Sequence, residues 1–222
     1  MNTQTQNTQT QTQTPQQIDK RAVIAIARAI TKRRSFVVWY GDIYDELRSL
    51  IDDDDEFHEI ENKLYEDIVD GKIKNVYRFW GTCDDSECDI IAVSPIELDE
   101  NQLKMLKELA ELYSFKGYDG DRDERRELTL VLHNLVKMWA SGCLKLSGPA
   151  EAVYELAKNY GLEIKEEERL DRWYAGNIYY AVEGLDSRIV KSLWYCNDCI
   201  NFSTGNNFIE KCKSWRFEDD ED

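Results

Sequence analysis

Closely spaced thiols in two distant segments set the tightest limit on how this chain can fold. Cys83 and Cys88 stand with four residues between them, Cys196 and Cys199 with two; Cys212 follows and Cys143 is alone. A pair of thiols meeting another pair, through a metal ion or through disulfides, would pin the end of the chain to its middle. Zinc takes four ligands in a tetrahedron, and the two-residue gap lets Cys196 and Cys199 face one ion. Cys212 would be a third ligand, with Cys83 or Cys88 completing the set. A zinc ribbon would carry a second pair at two-residue spacing, which is absent, so disulfides and unlinked thiols stay open beside the metal. Zinc is the only cofactor the sequence suggests.

The amino-terminal residues pull the other way, toward no fold at all. Residues 1–16 are Asn, Thr and Gln apart from Met1 and Pro15. Such a tract buries too little apolar surface to offset its ordering entropy, and a disordered tail is expected. Beyond it lie a helix-rich part over 17–141, a smaller part over 142–217 and an acidic end at 218–222. No stretch reaches the roughly 20 apolar residues of a membrane span. Residues 22–30 follow a polar tract and do not read as a secretory signal, so a cytoplasmic setting is expected.

Charge is distributed unevenly. The formal net charge is −16, yet residues 18–34 hold six bases against Asp19 alone, +5, which leaves −21 elsewhere. An acidic field repels phosphates and membranes and attracts basic partners. The most concentrated acids are Asp52, Asp53, Asp54 and Asp55, which make them the candidate contacts for a basic protein. Lys32, Arg33 and Arg34 are the alternative, a phosphate-docking cluster for nucleic acid. Their competing structural reading is a cationic helix end that pairs with the protein's own acids.

Periodicity divides the body into elements. Helices are expected over 18–34, 43–51, 56–69, 99–113, 124–140 and from Pro149 to Tyr160. The first is read with Ile18, Ala22, Ala25, Ala29 and the Ile26/Ile30 pair near one side. The fifth carries an apolar stripe of Leu128, Val131, Leu132, Leu135, Val136 and Trp139. Strands are expected over 36–40, 75–80, 89–93, 144–146, 162–165 and 178–182, while 188–195 is ambiguous. The 144–165 unit reads as β-α-β and resembles those of ferredoxin-like domains. The fold class is therefore α+β, a helix-rich amino-terminal part with a few short strands followed by a small β-α-β-containing carboxy-terminal part.

Catalytic motifs are scarce. The chain has no G-x-S-x-G elbow, H-E-x-x-H, phosphate-binding loop or dinucleotide fingerprint. Its two histidines, His58 on an acidic helix and His133 beside an apolar stripe, have no partner evident in sequence. The run Asp119-Gly120-Asp121-Arg122-Asp123 spaces carboxylates as a calcium loop does, but Glu124 and Leu130 stand where such a loop needs Gly and Glu. Aromatic residues crowd the last fifty positions in acidic or neutral surroundings, which suits packing or a protein interface better than base stacking. An enzyme would need a carboxylate site that nothing nominates.

The body beyond residue 17 has a single glutamine, Gln102, with abundant Glu, Lys, Ile and Tyr. This composition resembles that of proteins from hot-spring archaea and their viruses, some of which keep intracellular disulfides. The resemblance implies a factor that interferes with a host defence or regulatory complex. The function expected is a non-enzymatic acidic interaction protein binding a basic or nucleic-acid-handling protein. The alternatives are a nucleic-acid-associated regulator using the basic helix 18–34 and a cysteine-pinned carboxy terminus, or an enzyme with an unrecognised carboxylate site.

Overall fold

A computed structural model describes residues 18–79, 89–114, 122–141, 149–168, 177–186, 188–192 and 200–203. All six cysteines lie outside these residues, as do the tail 1–16, the strand expected at 144–146, the Asp119–Asp121 run and the acidic end.

The expected α+β class is observed. Helix α1 (Lys20–Arg33) leads into β1 (Val37–Trp39), α2 (Tyr40–Arg48), α3 (Asp54–Val69), β2 (Val76–Phe79) and β3 (Ile90–Val93). Then come α4 (Glu100–Ser114), α5 (Arg122–Ser141), α6 (Pro149–Asn159), β4 (Ile164–Glu168), β5 (Asn177–Val182), β6 (Arg188–Ser192) and β7 (Ile200–Ser203). Two antiparallel sheets result, one of order β1-β3-β2 and one of order β4-β5-β6-β7. Strand β3 is central in the first sheet and all four of its residues are buried, as its unbroken Ile-Ile-Ala-Val run dictates.

Helix α1 occupies the middle of the molecule. Asp19 caps it by accepting the Arg21 N–H at 2.8 Å. Ala22, Val23, Ile24, Ala25, Ile26, Ala27, Ala29 and Ile30 are all buried. The one-sided stripe read from the sequence is therefore corrected: apolar residues cover the helix nearly all round, the pattern of an enclosed helix. It packs against α2, α3, α6 and β1, and its four alanines keep those neighbours close. Arg28 escapes along its own stem to donate from Nε to the Gly184 carbonyl at 2.6 Å. Because α6 joins the same core through Ala150, Val153, Leu156 and Ala157, that core crosses position 142 without a break.

Smaller differences concern boundaries. Tyr40 starts α2 instead of ending β1, because the Asp42 carboxylate accepts the Trp39 N–H at 3.1 Å and opens a helix there. Only the first half of the aspartate run separates two helices: Asp52 and Asp53 precede α3, which Asp53 caps by accepting from the Glu56 N–H at 2.8 Å, and Asp54 and Asp55 form its first turn. The ambiguous 188–195 segment supplies β6, and β7 is an addition. Strand β4 pairs antiparallel with β5, Ile164 opposite Val182.

Candidate interaction surface

The basic cluster at the end of α1 is turned onto the protein's own acids. Arg33 Nε donates to Asp42 Oδ1 at 3.0 Å, and Lys32 pairs with Glu46, whose carboxylate is buried. Earlier on the same helix Arg21 bridges Asp19 and Glu56, and Lys20 meets Glu183. The hydrogen bonds that Arg21 donates to the Asp19 and Glu56 carboxylates, set against a burial that opposes them, push its guanidinium well above its ordinary range. Arg33 moves the same way, chiefly through Asp42. Arg34 sits at the carboxy-terminal cap in the left-handed region, φ 50°, and turns the chain toward β1. These pairs have exposed or half-exposed cations and each contributes little stability, yet together they engage Lys20, Arg21, Lys32 and Arg33 with acids of the same chain.

Helix α3 has the opposite character. Between Asp52 and Asp70 ten acids accompany one base, Lys63, for a net −9. Phe57, Leu64 and Ile68 seat the helix on the core, so the acids are forced outward. Asp52, Asp53, Asp54, Asp55, Glu56, Glu59, Glu66 and Asp70 are all exposed. The exceptions are Glu61, half-buried where its Oε1 accepts the Tyr40 hydroxyl at 2.8 Å, and Asp67, 2% exposed, which is flanked by Lys63 and Lys72. Of the four aspartates singled out from the sequence, Asp53 serves as the cap and Asp54 pairs with Arg48. Asp52 and Asp55 extend the acidic face to the amino-terminal end of the helix. His58 lies on this face, with its ring edge-on to Phe57.

His133 has partners that sequence could not supply. Its Nδ1 receives the Phe36 N–H at 3.1 Å and lies 3.2 Å from the Ser35 hydroxyl, which itself receives the Val37 N–H at 3.0 Å. A backbone N–H only donates, so Nδ1 is the bare nitrogen and the neutral ring carries its hydrogen on Nε2. The arrangement ties α5 to the start of β1 and presents no nucleophile with an open approach, since Ser35 is buried.

Burial, and after it the charge of Lys137, hold the His133 imidazole below its ordinary value of 6.5. The folded state therefore takes up a proton less readily than the unfolded chain, and the stability contributed by this contact is complete above about 6.5 and lost as the pH falls below it. Thermal unfolding at pH 7, 6 and 5 should show the wild type losing more of its melting temperature than His133→Asn, whose amide oxygen can accept the same N–H without titrating. Equal losses in the two proteins would contradict this.

Exposed apolar side chains form the remaining surface feature. Met105, Leu112, Leu130, Val131 and Met138 are five of the seven large exposed hydrophobic residues among those described, and all five lie on α4 and α5. Val131 was expected inside the buried stripe of α5 but is 37% exposed. The signal for the others was their place just outside each buried stripe.

No protein-family model, curated protein or solved structure matches this chain. Among the described residues no three His, Cys, Asp or Glu side chains converge as a metal-binding group. None of the described helices is long and apolar enough to cross a membrane.

Proposed function

We propose that the chain is a non-enzymatic interaction protein whose partner presents a basic protein surface. The observation that supports this most is the 52–70 segment: its helix α3 is anchored by Phe57, Leu64 and Ile68, and it carries a net −9 with eight of its ten acids exposed. A rigid element with one sign of charge raises the local concentration of an oppositely charged partner and speeds encounter. The diversion of Lys32 and Arg33 onto Glu46 and Asp42 favours this over docking on nucleic acid.

The test uses a Lys/Arg-rich 20-residue peptide and a duplex oligonucleotide as probes in stopped-flow association. Asp52→Lys with Asp55→Lys, which spares the Asp53 cap and the Asp54 pair, should slow peptide association about three- to tenfold at low salt and leave dissociation nearly unchanged. Added salt should slow the wild type toward the variant, because screening sets in beyond a Debye length of about 10 Å at 0.1 M. Replacing Lys32, Arg33 and Arg34 by Gln should leave peptide binding intact. Oligonucleotide binding lost with those three bases, and peptide binding indifferent to the aspartates, would establish the nucleic-acid reading instead.

A further inference from the structure

The exposed apolar residues of α4 and α5 are arranged as a matched pair of stripes. Met105, Leu109 and Leu112 follow one another at intervals of four and three residues, and Val131, Leu135 and Met138 repeat the same intervals. That spacing places each trio on one helix face. The central leucine of each is half-buried against the core, while Leu112 is 65% and Met138 58% exposed. Leu130, 57% exposed, widens the second stripe. The two helices pack side by side, and each carries its buried residues, Leu106 and Ala110 or Leu128, Leu132 and Val136, on the neighbouring face. Two such stripes beside one another have the spacing that helix-to-helix docking uses.

Charge selects the occupant. Over residues 100–112 and 127–140 there are four acids and three bases, a net −1, in a chain whose formal charge is −16. The charges alternate in sign as pairs one turn apart, Lys104 with Glu108 and Lys107 with Glu111. A basic partner steered by the acidic field gains nothing on this nearly neutral face. A second copy of the chain, repelled elsewhere by its own sign, meets least repulsion here. Each acid it brings can also face a base across a two-fold axis. We infer that α4 and α5 form a self-association surface through which two copies dock their Met105–Leu112 and Val131–Met138 stripes.

Sedimentation velocity of the full chain from about 1 to 200 µM, at 0.05 and 0.5 M NaCl, tests this directly. A monomer–dimer equilibrium is expected, and it should tighten with salt, because screening removes repulsion between like-charged copies. This is the reverse of the salt response expected for the basic peptide, so the two proposals fail separately. Leu112→Glu with Met138→Glu should abolish the dimer while far-ultraviolet circular dichroism and melting temperature stay near wild type, both positions being exposed. Should that variant lose its fold, Leu112→Gln with Met138→Gln replaces it and should weaken the dimer at least tenfold. Asp52→Lys with Asp55→Lys should leave the dimer intact or tighten it. A chain monomeric at 200 µM in 0.5 M NaCl overturns the inference, and so does a dimer that survives the stripe variants in folded protein.

Discussion

Asp89→Ala is expected to be the most damaging single change at a polar position. The Asp89 side chain is 2% exposed and takes the Arg78 Nε at 2.6 Å and the Tyr65 hydroxyl at 2.9 Å on the same oxygen. Arg78 also donates to Tyr65 at 3.2 Å, closing a three-membered ring of contacts, and lies over that tyrosine's ring face. Burial works against the guanidinium here, but the carboxylate outweighs it and raises the Arg78 pKa. Removing one partner of an enclosed pair leaves the other charge poorly compensated, a loss of about 3–5 kcal/mol. The comparison that isolates the pair is Arg78→Met with Asp89→Leu, which removes both charges and should cost much less than Asp89→Ala alone. Urea denaturation of the wild type, Arg78→Met, Asp89→Leu and the double variant checks it; a double variant as weak as the sum of the singles would show that the residues act independently.

Gly184→Ala should come next. Gly184 turns the chain from β5 toward β6 at φ +79°, and a Cβ there would stand 2.6 Å from Ile24 Cγ2 and 2.8 Å from Cδ1. The backbone strain alone is about 1–2 kcal/mol. Ile24 is buried in α1 and, being β-branched, has little rotamer freedom in a helix, so overpacking adds about 1–3 kcal/mol. The sum is about 2–5 kcal/mol, read as a lowered denaturation midpoint. Truncating Ile24 to alanine should be less costly in the Gly184→Ala background than in the wild type, because it opens the space the new methyl needs. Identical costs in the two backgrounds would mean that the turn moves away from α1 freely.

Much of this architecture is legible in the sequence. The 3.6-residue spacing of Leu128, Leu132, Leu135 and Val136 identified α5, and the Ile-Ile-Ala-Val run fell within the strand expected over 89–93. Local chemistry failed where tertiary packing decided the outcome. Residues 22–27 are apolar without interruption, which fits either a helix buried all round or one face of a less enclosed one. Only the arrival of α6 and the 183–185 turn distinguishes them. Capping moved two boundaries, since Asp42 and Asp53 each recruit residues that strand propensity or charge had assigned elsewhere.

The surface divides in the same way. The acids of α3 are visible in composition, because nothing but solvent suits so many carboxylates on one helix. That Lys32 and Arg33 would pair with the protein's own acids was one reading of the sequence; which acids was not visible, since Glu46 and Asp42 come from α2 and the geometry of the α1–α2 contact is not written in either helix. Met105, Leu112 and Met138 were opaque for a further reason. Each borders a buried stripe, and how far burial extends around a helix depends on its neighbours and not on its own periodicity.

The central position of α1 bears on how the chain folds. It is the first helix among the described residues, yet it packs against α6, more than 110 residues further on, and bonds to Gly184 and Glu183, more than 150 residues further on. Closing such long loops comes late and slows folding. During vectorial synthesis the Ala22–Ile30 segment is exposed until those partners have emerged, a sticky apolar surface on a nascent chain. Its cations at Lys20, Arg21, Arg28, Lys32 and Arg33 are then an asset of a different kind. Before they meet their acids they keep that segment charged, and so resistant to aggregation, for the interval in which it has no core to enter.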